Sequence, residues 1–180
     1  MYVARRSARS SASQARILEA VRSLLEEGTF HETTVEEVAA RAGVSRATLY
    51  QHFGSRLGLL GGICDAMDAN PVLAAVRRTS DLEELVAAVV EFWASEERLL
   101  AQLYHAAAID PAAQDFVERQ RRDRYGELRR VLGEWGGERF AALAVATSFE
   151  SYLELRRGAG LSKEAVVRTL QGLARTAASK

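Results

Sequence analysis

Only two prolines, Pro71 and Pro111, stand in a chain of 180 residues. Proline is the residue a helix interior tolerates least, because it lacks the N–H donor and clashes with the preceding turn. Ala, Leu, Glu and Arg dominate the rest of the chain, and these residues lose little freedom on entering a helix. Apolar residues recur at helical spacing, and no segment shows the strict alternation of a half-buried strand. The pattern predicts an all-α fold. A hydrophobic share of 48% beside 27% charged residues is that of a packed globular chain rather than a disordered one. No apolar run reaches the ~18 residues needed to span a bilayer, so no membrane partner is expected. The basic N-terminus is not followed by the apolar stretch of a signal peptide. The single cysteine, Cys64, fits a reducing cytoplasm.

The formal net charge is zero, yet the charges are unevenly placed. Arg5, Arg6, Arg9 and Arg16 precede the first acid, Glu19, and the window from Val38 to Cys64 holds Arg41, Arg46 and Arg56 with no Asp or Glu. Acids gather instead at Asp81, Glu83, Glu84, Glu91, Glu96 and Glu97. Such a layout attracts a polyanion locally without a basic overall balance.

Helix signals divide the chain into nine expected helices. Residues 1–12 read as a flexible basic arm. Ile17, Leu18, Val21, Leu24 and Leu25 then share one helical face, which Gly28 ends. Thr33 stands three residues before Glu36, as in a capping box, and Thr34 before Glu37 fits almost as well. A short second helix follows to Gly43, a third from Ser45 to Phe53, and a fourth from Ser55 to about Ala69. Longer helices are expected over 81–94, 95–108, 111–132, 138–157 and 162–177.

The segment from Val35 to Phe53 carries the most information. A helix-turn-helix needs a small residue where its two helices nearly touch, and Ala39 supplies it. The turn needs a residue that accepts positive φ, and Gly43 stands four residues later. Val38, Val44 and Leu49 can clamp the pair. The second helix then reads Arg46-Ala47-Thr48-Leu49-Tyr50-Gln51-His52, polar and free of acids, as a helix entering a DNA groove should be. By spacing alone, a tight helical hairpin in some other bundle remains open.

From Arg16 to Met67, and above all in Thr33-Thr34-Val35, Ala39-Ala40-Arg41-Ala42-Gly43-Val44-Ser45 and Thr48-Leu49-Tyr50-Gln51-His52-Phe53, the sequence resembles the DNA-binding domain of the TetR family. The resemblance implies a nine-helix TetR-like fold, with a helix-turn-helix domain at 13–54 and a ligand-binding and dimerisation domain at 55–180. It also implies roles at matching positions. Thr34 would meet a phosphate, Arg46, Ala47 and Gln51 would face base edges, and Thr48, Tyr50 and His52 would position the backbone, with Ser45 at the helix start. Arg56 stands where a lysine is usual and is expected to reach a phosphate. Arg5, Arg6 and Arg9 could enter a minor groove or remain a solvated tail. The fourth helix departs from the pattern with Gly58, Gly61 and Gly62. This is either a softened link or a surface of close packing.

For an unidentified small-molecule effector, the resemblance points to Asp65, Met67, Phe92, Trp93, Tyr104, His105, Phe116 and Tyr125. An aromatic stripe at helical spacing is equally the signature of a core. Trp135 follows in the same vein. His105 has no second ligand at metal spacing, so neither a metal nor a cofactor is expected. Phe149, Tyr152, Leu153, Val166, Leu170 and Leu173 are the expected homodimer contacts. No nucleophile elbow, P-loop or dinucleotide fingerprint is present, and no enzyme is expected. The leading expectation is a repressor released from a palindromic DNA site by a small molecule. An activator of the same fold, or a helical sensor without DNA binding, are the alternatives.

Overall fold

The computed structural model describes residues 2–133 and 136–178. Eleven α-helices carry most of them, with no strand among the described residues. They are α1 (Tyr2–Glu27), α2 (Val35–Arg41), α3 (Arg46–Phe53), α4 (Arg56–Asp68), α5 (Pro71–Arg78), α6 (Leu82–Ser95), α7 (Glu97–Ala106), α8 (Pro111–Leu132), α9 (Gly137–Ala146), α10 (Phe149–Leu153) and α11 (Lys163–Ala178). No single helix among the described residues is long and apolar enough to cross a membrane.

The expected all-α class holds, and the helix count rises from nine to eleven. Two local reasons account for the difference. Pro71 opens a helix where none was expected, and the Asn70 side chain accepts the Val72 N–H at 2.9 Å. Proline at the first helical position sacrifices an N–H that has no partner there anyway. The helix expected over 138–157 breaks at Thr147, and Ser148 recaps the chain by accepting the Ser151 N–H at 3.1 Å. After α10 the ladder widens into a π-turn over Glu154–Gly158.

At the other end, α1 runs unbroken from Tyr2 through the residues expected to form an arm. Nothing before Gly28 stops a helix, and Gly28 does so with φ at 77°. The side chains of Arg5, Arg6 and Arg9, and Trp135 altogether, lie outside the described residues.

The helices gather into two compact units. One runs through Met67 and includes Arg98–Arg119, while the other comprises Asp68–Glu97 and the residues from Gln120 onward. In the first unit, Ile17, Val21, Leu24 and Leu25 of α1 are buried with Val38, Leu49, Leu59, Leu60 and Phe116. In the second, Trp93 meets Phe149 edge-on at 5.6 Å, and Phe149 stacks on Tyr152 at 5.9 Å. Such ring pairs add to the burial of their area.

The glycines of α4 have separate explanations. A Cβ on Gly58 would lie 1.8 Å from the Phe53 carbonyl oxygen. One on Gly62 would meet the Phe53 ring at 2.5 Å and Leu18 of α1 at 2.8 Å. Both positions are fixed by close packing. A Cβ on Gly61 would meet nothing within 4 Å.

Candidate nucleic-acid interface and effector cavity

The head is built from caps. Thr34 and Glu37 form the capping box at the start of α2: the Glu37 N–H donates to Thr34 Oγ1 (3.2 Å) and the Thr34 N–H to Glu37 Oε2 (2.7 Å). The pairing of Thr33 with Glu36 does not form. Thr33 instead donates its hydroxyl to the Thr29 carbonyl at 2.9 Å. Hydrogen bonds from the Thr34 backbone and hydroxyl hold the Glu37 carboxyl below its ordinary value. Ala39 is buried at the helix contact, and Gly43 turns the chain with φ at 62°. The Val44 N–H returns to the Ala39 carbonyl at 3.0 Å. Ser45 then caps α3 through the Thr48 N–H at 3.1 Å, and Gly54 ends that helix at φ 69°.

This frame leaves Thr34, Ser45, Arg46, Ala47, Tyr50 and Gln51 exposed, with Thr48 and His52 half-buried beside them, while Leu49 faces inward. Arg46 lies over the Tyr50 ring at 5.3 Å. One partner was not legible from the sequence. The window around Arg46 holds no acid, yet Glu36 of α2 brings its Oε1 within 2.8 Å of Arg46 Nε. Hydrogen bonding to Tyr50, then the Glu36 carboxylate, raises the Arg46 pKa above its ordinary value. Arg41, also read as part of the basic window, is spent on α1, where it bonds Glu27 and donates to Ser23 at 2.9 Å.

Arg56, expected at a phosphate, is engaged within the protein. Its Nε donates to Asp110 Oδ2 at 3.0 Å, its Nη1 to the Thr33 carbonyl at 2.7 Å, and its Nη2 to the Phe30 carbonyl. The guanidinium also covers the Phe30 ring at 3.9 Å. All three nitrogens are thus bonded within the protein. Asp110 meanwhile accepts the Ala112 N–H at 2.9 Å and so caps α8.

The expected effector residues divide between the two units. Phe92 and Trp93 line a cavity of about 60 Å³ with Leu73, Val76, Val89, Arg77, Asp123, Arg124 and Glu127. The Trp93 indole N–H donates to the Thr147 carbonyl at 3.1 Å, and Arg124 reaches the Ala144 carbonyl at 2.6 Å. The α5 side of this cavity was missed because α5 itself was missed. Tyr125 packs edge-on against Phe140 at 5.6 Å instead. Asp65 lies on a groove beside His52 and the α4 glycines. His105 shares a small crevice with His31, and Tyr104 is half-buried. Met67 and Phe116 are core.

The expected dimer contacts differ in exposure. Phe149, Tyr152, Val166 and Leu170 are buried within their own unit, and Leu153 is half-buried. Helical period alone does not say which of two apolar faces is covered within the chain. Of the six, Leu173 stands out at 54% exposed. It borders an apolar groove of about 600 Å³ with Ala141, Ala142, Val145, Ala146 and Ala177, and Val145 is itself 64% exposed.

Residues 17–63 match the family model described as bacterial regulatory proteins, tetR family. Solved structures resemble nearly the whole chain. A transcriptional regulator from Aquifex aeolicus is 19% identical, with 89% of this chain and 96% of that one covered and a TM-score of 0.67. A TetR-family regulator from Syntrophomonas wolfei is 15% identical, with 93% and 95% covered and a TM-score of 0.67. SmeT in complex with triclosan is 20% identical, with 93% and 90% covered and a TM-score of 0.65. At these identities the likeness is one of fold. No curated protein matches the chain significantly.

Proposed function

We propose that this chain, whose residues 17–63 match the tetR-family model, works in the cytoplasm as a ligand-responsive repressor on a twofold-symmetric DNA site. The observation that carries this reading is the outer face of α3, which is polar, exposed, free of acids in its own sequence, and set by the Ser45 cap. In this reading Arg46, Ala47 and Gln51 meet base edges. Thr34, Ser45, Thr48, Tyr50 and His52 fix the register on the backbone. DNA reading belongs to residues 13–54, and effector binding and dimerisation to 55–180.

Two heads require two chains. The groove around Val145 and Leu173 suits a second copy of itself, because an apolar surface of small residues lets helices approach closely. A cavity of about 60 Å³ at Phe92 and Trp93 holds only a few waters, whereas small-molecule sites run to several hundred cubic ångströms. An effector entering there must widen it, and that displacement of packed helices is the proposed source of DNA release. The SmeT complex shows a protein of this fold holding a small molecule.

The test is a comparison of two variants on duplexes enriched from a random pool. Arg46→Ala should lower sequence discrimination at one or two positions, while Tyr50→Phe should weaken all duplexes alike. Identical effects from both variants would contradict the division into base and backbone contacts.

A further inference from the structure

Arginine reads guanine through two parallel hydrogen bonds to O6 and N7, and this needs the guanidinium plane held edge-on to the base. An exposed arginine at the start of a helix has several rotamers, and the unheld ones must be given up on binding. Arg46 is exposed, yet it is held from two directions. Its Nε meets Glu36 Oε1 at 2.8 Å, and its guanidinium carbon lies 5.3 Å from the centre of the Tyr50 ring. The Glu36 anchor comes from α2, ten positions back in sequence, and that helix is fixed in turn by the capping box at Thr34.

We propose that Glu36 is a positioning residue for base readout, which sets the plane of Arg46 so that its terminal amino groups meet a guanine. The inference rests on the DNA-binding reading above. The Glu36 carboxylate sits on the Nε side of the guanidinium as an ion pair, so that side is occupied. Bidentate contact then falls to the Nη1–Nη2 end, which fixes both the reach and the tilt at which a base is read. The acid has a cost, since a carboxylate near the phosphates lowers affinity for every duplex. An acid at this place therefore trades overall affinity for discrimination. The side chains are 64% and 50% exposed, so the pair contributes little to folding.

The experiment measures the ratio of affinities for the preferred duplex and for one with the guanine replaced. Glu36→Ala should reduce that ratio by about two- to fivefold, the scale of one exposed ion pair, while raising affinity for unrelated DNA. Glu36→Gln, which still fills the Nε side of the guanidinium but carries no charge, should keep more of the ratio than Glu36→Ala. Arg46→Ala should abolish it. Circular dichroism melts on the same samples separate loss of fold from loss of discrimination. An unchanged ratio in Glu36→Ala, with affinity raised equally for all duplexes, would overturn the proposal and leave Glu36 as a repelling charge. Failure of the unaltered protein to enrich any duplex would overturn the DNA-binding reading and this proposal with it.

Discussion

At the scale of single residues, the head depends on positions whose requirements are local. Gly43 has open space where a Cβ would stand, but its φ of 62° is one that side chains rarely adopt. Gly43→Ala should cost about 1–2 kcal/mol, the strain of a left-handed backbone, with no steric clash to add. A urea titration checks this. Ala39, Gly43, Ser45 and Leu49 were legible in the sequence because each acts on neighbours a few positions away. Arg56 was not, since its partners Phe30, Thr33 and Asp110 lie 23 to 54 positions distant. The partners of Tyr152 were hidden for a related reason. Its ring is buried, and its hydroxyl donates to Glu97 Oε2 at 2.7 Å, while Arg157 holds Glu97 Oε1 at 2.9 Å. Burial, then the Glu97 hydrogen bond, pushes the Tyr152 hydroxyl up to about 12. Burial pushes the Glu97 carboxyl up too, but the bonds from Tyr152 and Arg157 outweigh it and leave the pKa below its ordinary 4.5. A carboxyl depressed on folding stabilises the fold above its unfolded pKa, and that stability is lost as pH falls through the folded value. Unfolding free energy should therefore drop more steeply on acidification in the unaltered protein than in Glu97→Gln. Tyr152→Phe should cost roughly 1–3 kcal/mol at neutral pH, as expected for a hydrogen bond to a charged group.

At the scale of elements, α4 is where sequence left two readings open and geometry separated them. Three glycines look like a softened helix, but Gly58 and Gly62 are required by the approach of Phe53 and Leu18. Only Gly61 is spare. Gly61→Ala should thus stabilise the protein by about 1 kcal/mol, the propensity difference between the two residues, while Gly62→Ala should destabilise it. Thermal melts of the pair decide this, and a loss of stability in both would contradict the packing argument. Arg56 and Asp110 add a second constraint by joining the start of α4, the turn before α2 and the cap of α8. The long helices α6, α8 and α11 were legible from caps and apolar spacing. The short α5 was not, because eight residues opening on a proline show too few turns to reveal a period. That omission also hid one wall of the cavity at Trp93.

At the scale of the whole molecule, the expected class was recovered, but the covered faces were not. Apolar residues stand on more than one face of the closing helix, and only burial distinguishes Leu170, which is core, from Leu173, which is exposed. Leu173→Glu should shift the protein to monomers in sedimentation while leaving its helicity intact, since the side chain leaves no hole in the chain's own core. Paired heads make the central claim a statement about symmetry, because a twofold dimer reads its sequence twice in opposite directions. The most direct measurement is selection of bound duplexes from a fully random pool, followed by sequencing. The account requires an enriched palindrome whose half-sites lie about one helical turn apart, ~10 base pairs or a multiple. Enrichment of a single unrepeated motif, or of none at all, would contradict it.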